Sequence, residues 1–309
     1  MQTTSNILLI KPSSFIFNNE TAISNSFQKN NTAENLENIT QKAIAEFELF
    51  AATLKNNGIN VFVFEDTEFP QKPDAIFPNN WVSFHKDGTV ILYPMLAVNR
   101  RAEKRMDIIE SLKKSFVINA IKDLSVLEND NKFLEGTGSM IFDHQNRIVF
   151  ACLSPRTSKE LFEAIAEKIG FKPIHFYAHN ENGVEIYHTN VMMSIGEGIA
   201  VVCTESITNK IERETVINSL IKTNHQIIDI SIEQMNNFAG NMLMLKNNKG
   251  KNLMVLSSTA FKSLTAIQKK AIEKYCSFLP MQIDTIETIG GGSARCMIAE
   301  IFCPLKKQK

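Results

Sequence analysis

Short apolar strands alternate with single helices along this chain, and no segment between them resembles a linker. The runs 6–10 and 59–64 are typical of buried strands, and between them apolar residues recur every three or four positions. That spacing predicts a helix that ends at Gly58 and carries the apolar stripe Leu36, Ile39, Ala43, Phe47, Phe50 and Leu54.

The same pattern continues to the end of the chain. Further strands are predicted at 89–93, 147–153, 173–177, 191–195, 199–203, 226–230, 241–245, 253–257 and 296–302. Further helices are predicted at 100–114, 159–170, 209–222 and 265–276. One helix in roughly every sixty residues favours several ββα-type modules, about five, over one doubly wound sheet. We therefore expect an α/β fold in a single domain, residues 1–309.

Composition and charge exclude several classes of protein. Lys+Arg and Asp+Glu number 33 each, so the formal net charge is zero. The net charge therefore does not favour nucleic acid or an anionic membrane as a partner. The apolar run 7–10 is too short for a signal-peptide core, and no other segment approaches a membrane span. Five cysteines without a CxxC pair argue against a disulfide framework and against a cysteine-built zinc site. These features predict a cytoplasmic protein.

Cys296 is the candidate nucleophile. It follows the glycine run Gly290–Gly292 and precedes an apolar run, 297–302. A thiol at such a loop-to-strand junction can face a pocket while the strand behind it fixes its position. The alternative is a small buried core thiol. The glycine run lacks the lysine and the spacing of a phosphate-binding loop.

Two other residues could assist a cysteine nucleophile. His188 lies between a turn-like Glu181-Asn182-Gly183 and an apolar strand, where an imidazole can act as acid or base. Glu135 lies between apolar residues and a pair of glycines, which can draw a carboxylate into a cleft. An ordinary solvated turn glutamate is the alternative. The segment 73–81 contains the only tryptophan and two adjacent asparagines, and a simple β-turn would also explain it.

In their order along the chain, these segments resemble the guanidino-group-modifying enzymes, the superfamily of arginine deiminase, dimethylarginine hydrolase and amidinotransferases. Within it, the chain is most similar to citrulline hydrolases of the CtlX type, which are arginine deiminase-related and amidinotransferase-like. The resemblance covers almost the whole chain and rests on Phe77-Pro78-Asn79-Asn80-Trp81, Leu92–Met95, Asn99-Arg100-Arg101, Glu135–Ser139, Ser154–Thr157, His188-Thr189-Asn190, Gly240-Asn241-Met242 and the cysteine loop.

The resemblance implies a pentein fold, an α/β-propeller of five pseudo-symmetric ββαβ modules around a central active-site channel. It also implies that Cys296 is the nucleophile, His188 the general acid and base, and Glu135 their carboxylate partner. The chemistry requires no metal and no organic cofactor.

Two positions depart from the arginine-processing members of the superfamily. Those enzymes usually place aspartates where this chain has Asn80 and Asn190, and the aspartates grip the cationic guanidinium. An asparagine both donates and accepts hydrogen bonds, and so it can match the C=O and NH2 of a ureido group. The two amides therefore favour citrulline over arginine.

The remainder of the substrate is expected to be an amino acid. Arg100 and Arg101 lie at the start of the predicted helix 100–114, where cations oppose the helix dipole, and an anionic partner would explain their placement. Arg156, just before a capped helix, is a similar case. In the superfamily such arginines bind the substrate carboxylate, and we expect Arg156 and one of Arg100 or Arg101 to do so. Surface ion pairs are the alternative for Arg101. We also place Asn241 among the substrate-binding residues.

These predictions define one reaction and several alternatives. The reaction is hydrolysis of L-citrulline to L-ornithine, ammonia and carbon dioxide through a covalent Cys296 intermediate. The alternatives with the same Cys-His-Glu chemistry are an arginine or acylarginine deiminase or dihydrolase and an amidinotransferase. A non-catalytic binding protein on the same fold is the alternative from another class. A homodimer is compatible with the charged segment 100–114.

Overall fold

The computed structural model describes residues 1–30 and 35–307, which form five three-stranded sheets. The strands are β1 (Asn6–Lys11), β2 (Asn60–Glu65), β3 (Val82–Phe84), β4 (Thr89–Leu92), β5 (Ala120–Asp123), β6 (Ile141–Asp143), β7 (Ile148–Cys152), β8 (Lys172–Phe176), β9 (Met193–Gly196), β10 (Ile199–Val202), β11 (Gln226–Asp229), β12 (Leu243–Lys246), β13 (Asn252–Ser257), β14 (Ser277–Met281) and β15 (Ala299–Glu300).

Helices and 3-10 turns connect these strands. The helices are α1 (Asn19–Ala22), α2 (Leu36–Asn56), α3 (Met106–Leu112), α4 (Gly136–Ser139), α5 (Lys159–Lys168), α6 (Thr189–Met192), α7 (Lys210–Lys222), α8 (Ile232–Asn236), α9 (Ser258–Ser263), α10 (Ala266–Ile272) and α11 (Asp284–Gly290). The 3-10 helices span Pro78–Asn80, Val98–Glu103, Ser125–Asp130 and Thr204–Ser206.

Every sheet repeats one topology. Its first two strands are antiparallel, and its third strand runs parallel to the second after a helical crossover, as β6, β7 and β8 do with α5. A parallel neighbour requires such a crossover because the chain must return to the starting edge of the sheet. The prediction of five ββαβ modules is therefore confirmed.

One module is built from both ends of the chain. β15 pairs antiparallel with β1, and β1 pairs parallel with β2. The crossover helix α2 buries the predicted apolar stripe from Ile39 to Leu54, whereas Leu36 is exposed. The helix ends before Gly58. The φ of this glycine is 81°, in the left-handed region that other residues rarely adopt.

The first strand of each module lies toward the centre of the molecule. Neighbouring first strands contact one another across module boundaries, as β3 does with β15 and as β9 does with both β6 and β12. A short turn precedes each of these strands. The five turns are Pro78–Asn80, α4, α6, residues 240–242 and residues 294–297. This repeat explains how residues that are far apart in sequence meet at one place.

Two predicted elements differ in the structure. The predicted helix 100–114 is a 3-10 helix, Val98–Glu103, followed by the short helix α3. Arg100 and Arg101 therefore do not begin an α-helix, and the argument from the helix dipole does not apply to them. The predicted strand 296–302 is limited to β15, so Cys296 lies in a turn that precedes the strand.

The many asparagines of residues 18–38 predict a mobile surface excursion, but the described part of this segment, 18–30 and 35–38, is partly buried. Asn18, Thr21 and Asn25 are each at most 6% exposed. Residues 18–29, here called the strap, lie across the ends of the central turns. Residues 31–34 of the predicted excursion lie outside the described residues. Among the helices of the described residues, none combines the length and the apolar character that a membrane crossing requires.

Candidate active site

The Cys296 sulfur lies in a buried turn between two amide donors. Asn190 donates from Nδ2 to Sγ over 3.3 Å, and Asn241 donates from Nδ2 over 3.2 Å. The Cys296 N–H donates to the Ser293 carbonyl oxygen, which closes the turn. Only 4% of the residue is exposed, and two neutral donors therefore face a sulfur that is shielded from bulk water.

His188 and Glu135 form a buried pair at the ends of two neighbouring modules. His188 Nε2 lies 2.9 Å from Glu135 Oε2, and Glu135 Oε1 accepts the Leu96 N–H. An ionised carboxylate can only accept, so Nε2 carries the imidazole proton and Nδ1 keeps a free lone pair. The pair therefore presents a base, provided that the imidazole is neutral.

Both members of this pair titrate below their usual ranges. Burial opposes ionisation of Glu135, but the charge of Arg156, the hydrogen bond from His188 and the charge of Arg100 outweigh it and hold the pKa of the carboxyl well below its usual range. Burial lowers the pKa of His188 to about 4, although the hydrogen bond and charge of Glu135 raise it. At neutral pH the site thus contains a carboxylate and a neutral imidazole.

The Arg100 guanidinium contacts several polar side chains. Its Nε and Nη2 donate to the two carboxylate oxygens of Glu103 over 2.8 and 2.9 Å, and its Nη1 donates to Asn80 Oδ1 over 2.9 Å. Its Nη1 also lies 3.9 Å from Glu135. Because Glu103 already forms a bidentate pair with this guanidinium, Arg100 is better placed to orient Asn80 than to bind a second carboxylate.

Arg156 contacts the strap. Its Nε and Nη2 donate to Ser24 Oγ over 3.0 and 2.7 Å, and Nη2 also donates to the Thr21 carbonyl oxygen. Its guanidinium lies 4.8 Å from the centre of the Tyr187 ring and 3.5 Å from Glu135 Oε2. The strap partners are an uncharged hydroxyl and a carbonyl, so an anionic ligand could replace them.

Three residues predicted to bind substrate do not line the cavity at Cys296. Asn190 is one of them, and its side chain contacts the Cys296 sulfur. Arg101 is half-buried, donates to the Met95 carbonyl oxygen and lies 3.5 Å from Glu128. It does not line the cavity at Cys296. Asn241 also does not line that cavity, and it contacts the nucleophile instead.

Asp74 is a site residue that sequence reasoning did not single out. Its Oδ2 accepts hydrogen bonds from Asn18 Nδ2 and Thr21 Oγ1, both in the strap. Its Oδ2 also lies 3.6 Å from Arg100 Nε, whereas its buried Oδ1 has no hydrogen-bond partner in the described ranges. The residue lines the same cavity as Arg156 and Cys296. The distinctive feature of the sequence 73–81 is its pair of asparagines, and a single carboxylate beside a proline gives no signal of its own.

The cavity at Cys296 is small in this conformation. Its volume is about 10 Å³, far below the roughly 300 Å³ or more of a typical ligand pocket. Its lining residues are Asn25, Asp74, Phe77, Asn80, Arg100, Arg156, Tyr187, His188, Gly290, Gly291, Gly292 and Cys296. The strap residue Asn25 belongs to this lining, so movement of the strap would enlarge the site.

The side chains of the described residues do not form a metal centre. No group of three or more His, Cys, Asp or Glu side chains in that part of the chain is arranged to hold a metal ion. All five cysteines are free thiols. The arrangement can instead support nucleophilic attack by sulfur, with proton transfer through His188.

Five ββαβ modules around a site of this composition define an enzyme of the guanidino-group-modifying, or pentein, class. Residues 11–303 match the family model described as N,N dimethylarginine dimethylhydrolase, eukaryotic. The chain belongs to this family. A comparison with curated protein sequences found no match.

Several solved structures share this fold. Ligand-free ArgZ, an arginine dihydrolase from the ornithine-ammonia cycle in cyanobacteria, shares 15% identity and a TM-score of 0.75 over 97% of this chain. This chain spans only 41% of that protein. The ArgZ N-terminal domain bound to substrate, with 14% identity and a TM-score of 0.74, covers 96% of this chain and is itself covered over 97% of its length.

A third solved structure is a dimethylarginine dimethylaminohydrolase variant in an adduct with S-methyl-L-thiocitrulline. It shares 13% identity and a TM-score of 0.66, and the match covers 97% of this chain and 100% of that one. At these identities the structural likeness establishes a shared fold, and the substrate of this chain must be argued from its own residues.

Proposed function

We propose that the protein hydrolyses L-citrulline to L-ornithine, ammonia and carbon dioxide through a covalent intermediate on Cys296. The observation that carries this proposal is the fixed orientation of two buried amides, Asn80 and Asn190. One of them offers a hydrogen-bond donor to the site, and the other offers an acceptor.

Arg100 determines the orientation of Asn80. A guanidinium has only donors, so the Asn80 atom that faces Arg100 must be the oxygen. The Asn80 Nδ2 is therefore turned away from Arg100, and it is buried with no hydrogen-bond partner among the described residues. A buried N–H without a partner is costly, and a substrate acceptor would relieve that cost.

Asn190 has the complementary arrangement. Its Nδ2 donates to the Cys296 sulfur, which as a thiolate can only accept. Its Oδ1 is buried, forms no hydrogen bond within the described part of the chain, and can accept an N–H of the substrate. A ureido group supplies one acceptor, its C=O, together with N–H donors. A guanidinium supplies donors only and would turn an N–H toward Asn80 Nδ2. The pair of amides therefore favours the ureido group.

The α-carbon end of citrulline has two candidate partners in the same cavity. Asp74 suits the α-ammonium group, because its buried Oδ1 has no hydrogen-bond partner among the described residues, while its Oδ2 lies 3.6 Å from Arg100 Nε. The Arg156 guanidinium suits the α-carboxylate once the strap contacts with Ser24 are exchanged for it.

The chemistry follows from these positions. His188 Nδ1 takes the proton of Cys296, and the sulfur attacks the ureido carbon. The oxygen that becomes negative accepts the Asn80 N–H. Protonated His188 returns its proton to the leaving ammonia, which leaves an S-carbamoyl group on Cys296. His188 then deprotonates a water molecule that attacks the same carbon, the thiol is released, and the ornithine carbamate loses carbon dioxide.

An arginine dihydrolase is the second candidate function. The ArgZ structures of similar fold are described as such an enzyme, and a dihydrolase must process a ureido group in its second round. In that second round, Asn80 and Asn190 would bind the ureido group as described above.

The decisive experiment supplies L-citrulline, L-arginine and N,N-dimethyl-L-arginine in parallel and measures ornithine, citrulline and ammonia. Ornithine from citrulline but not from arginine supports the proposal, and ornithine from both supports the dihydrolase. Citrulline accumulating from either guanidine without ornithine would refute both. Cys296→Ala is the control and must abolish every product.

A further inference from the structure

We propose that Asn241 is a positioning residue for the nucleophile, holding the Cys296 sulfur and stabilising its negative charge during the reaction. The proposal rests on the proposed function only in taking Cys296 as the nucleophile. It replaces the expectation that Asn241 binds substrate.

Every polar atom of the Asn241 side chain is engaged within the protein. Its Nδ2 lies 3.2 Å from Cys296 Sγ and 2.9 Å from the Asn190 carbonyl oxygen. Its Oδ1 accepts the Arg295 N–H over 3.0 Å. Only 1% of the residue is exposed. Both N–H groups of the amide are used, so no donor is left over for a substrate, and the side chain joins the cysteine turn to the turn of α6.

The orientation of this amide is fixed by its neighbours. The backbone N–H of Arg295 must meet an oxygen, and the Asn190 carbonyl oxygen must meet an N–H. Both requirements turn Nδ2 toward the sulfur. The donor is therefore in place before the sulfur becomes charged, which is the arrangement that stabilises a developing anion without reorganisation.

Gly240 holds Asn241 against the neighbouring turn. A Cβ at this position would lie 2.3 Å from the Val191 carbonyl oxygen and 2.8 Å from the Met192 backbone. Only glycine permits this close approach, and it brings the amide of the next residue within reach of the sulfur. Because His188 is neutral until it takes the Cys296 proton, this amide is a donor already in place when the thiolate forms.

The test compares Asn241→Asp, Asn241→Ala and the native protein. Asn241→Asp keeps the shape and the acceptor for Arg295 but removes the N–H that faces sulfur. We expect kcat on citrulline to fall about 10- to 100-fold in both variants, with KM within about threefold of native. We also expect the pH of half-maximal Cys296 alkylation by iodoacetamide to rise by about one unit or more. Asn237→Ala, outside the site, is the matched control. It should leave the kinetic constants and the pH of half-maximal alkylation unchanged.

Each outcome decides the matter. A native alkylation profile in folded Asn241→Asp would overturn the proposal, as would a raised KM with native kcat. Loss of folding in both variants would also overturn it, because Asn241 would then be a structural residue. The alkylation readout needs no substrate, so a failure of citrulline as substrate leaves this test intact.

Discussion

Arg100 Nη1 donates to Asn80 Oδ1 over 2.9 Å and thereby fixes the orientation of the Asn80 amide, which lines the same cavity as Cys296. The same guanidinium is held in place by a bidentate pair with Glu103. If the proposed function holds, this arginine acts on specificity through its neighbour. A single buried hydrogen bond decides whether the site offers a donor or an acceptor at this position.

Asn80→Asp should change the substrate preference. An aspartate keeps the acceptor for Arg100 but offers no donor to the ureido oxygen. We expect kcat/KM for citrulline to fall about 100-fold, as when one oxyanion donor is lost, and the arginine-to-citrulline ratio of kcat/KM to rise. Steady-state assays on both substrates measure the ratio. An unchanged ratio in a folded variant would show that the orientation of Asn80 does not set the preference.

Asp74→Asn should weaken binding of the amino-acid end of the substrate. The buried Oδ1 would no longer carry charge for the α-ammonium, so KM for citrulline should rise about 10- to 100-fold with a smaller change in kcat. N-butylurea lacks the ammonium and the carboxylate, and its kcat/KM should stay within about twofold of native. Equal losses on both substrates would mean that Asp74 acts on the reacting end instead.

The module count could be predicted from the sequence, because alternation of strands and helices follows from local hydrophobic patterns. Short strands such as β5 and β14 escaped prediction because they are only partly buried and show no clear alternation. The way in which neighbouring modules contact one another could not be predicted either, because it depends on residues that are far apart in sequence. β15 pairing with β1 is the extreme case.

The chemistry-bearing residues were easier to predict than their partners. Cys296, His188 and Glu135 could be singled out from the turns that precede strands, and the structure brings the first two to one cavity with Glu135 bonded to the histidine. The pairing of Arg100 with Glu103 and the contact of Asn241 with sulfur depend on side-chain directions in three dimensions. No spacing in the sequence encodes them.

Acidification should destabilise the native protein partly through His188. Its pKa in the folded state, about 4, lies below the value of about 6.5 in the unfolded chain, so the unfolded state binds protons first. The stabilising contribution is complete above pH 6.5 and is lost as the pH falls toward 4. We expect a loss of about 2 to 3 kcal/mol in unfolding free energy between pH 7.5 and 4.5.

Urea unfolding at both pH values, for the native protein and for His188→Gln, isolates this contribution. Glutamine can still donate to Glu135 but does not titrate, so the variant should lose correspondingly less stability. The Glu135 carboxyl, whose folded pKa is lowered, adds its own loss only below about pH 4.5. An identical pH dependence in the two proteins would contradict the assignment of a buried neutral imidazole.

The strap should control access to Cys296. Phe27 anchors it, with its ring centre 6.3 Å from that of Tyr187 and 5.3 Å from that of Phe238. Removing this ring in Phe27→Ala loosens the strap, and we expect alkylation of Cys296 by a bulky maleimide to become about tenfold faster because the closed cavity opens more often. Hydrogen exchange of the strap amides should accelerate while that of β1 does not. Phe69→Ala, which removes a ring that is 84% exposed, is the matched control and should leave both rates unchanged. Equal alkylation rates for Phe27→Ala and the native protein would mean that the strap does not limit entry, and that the site opens by another route.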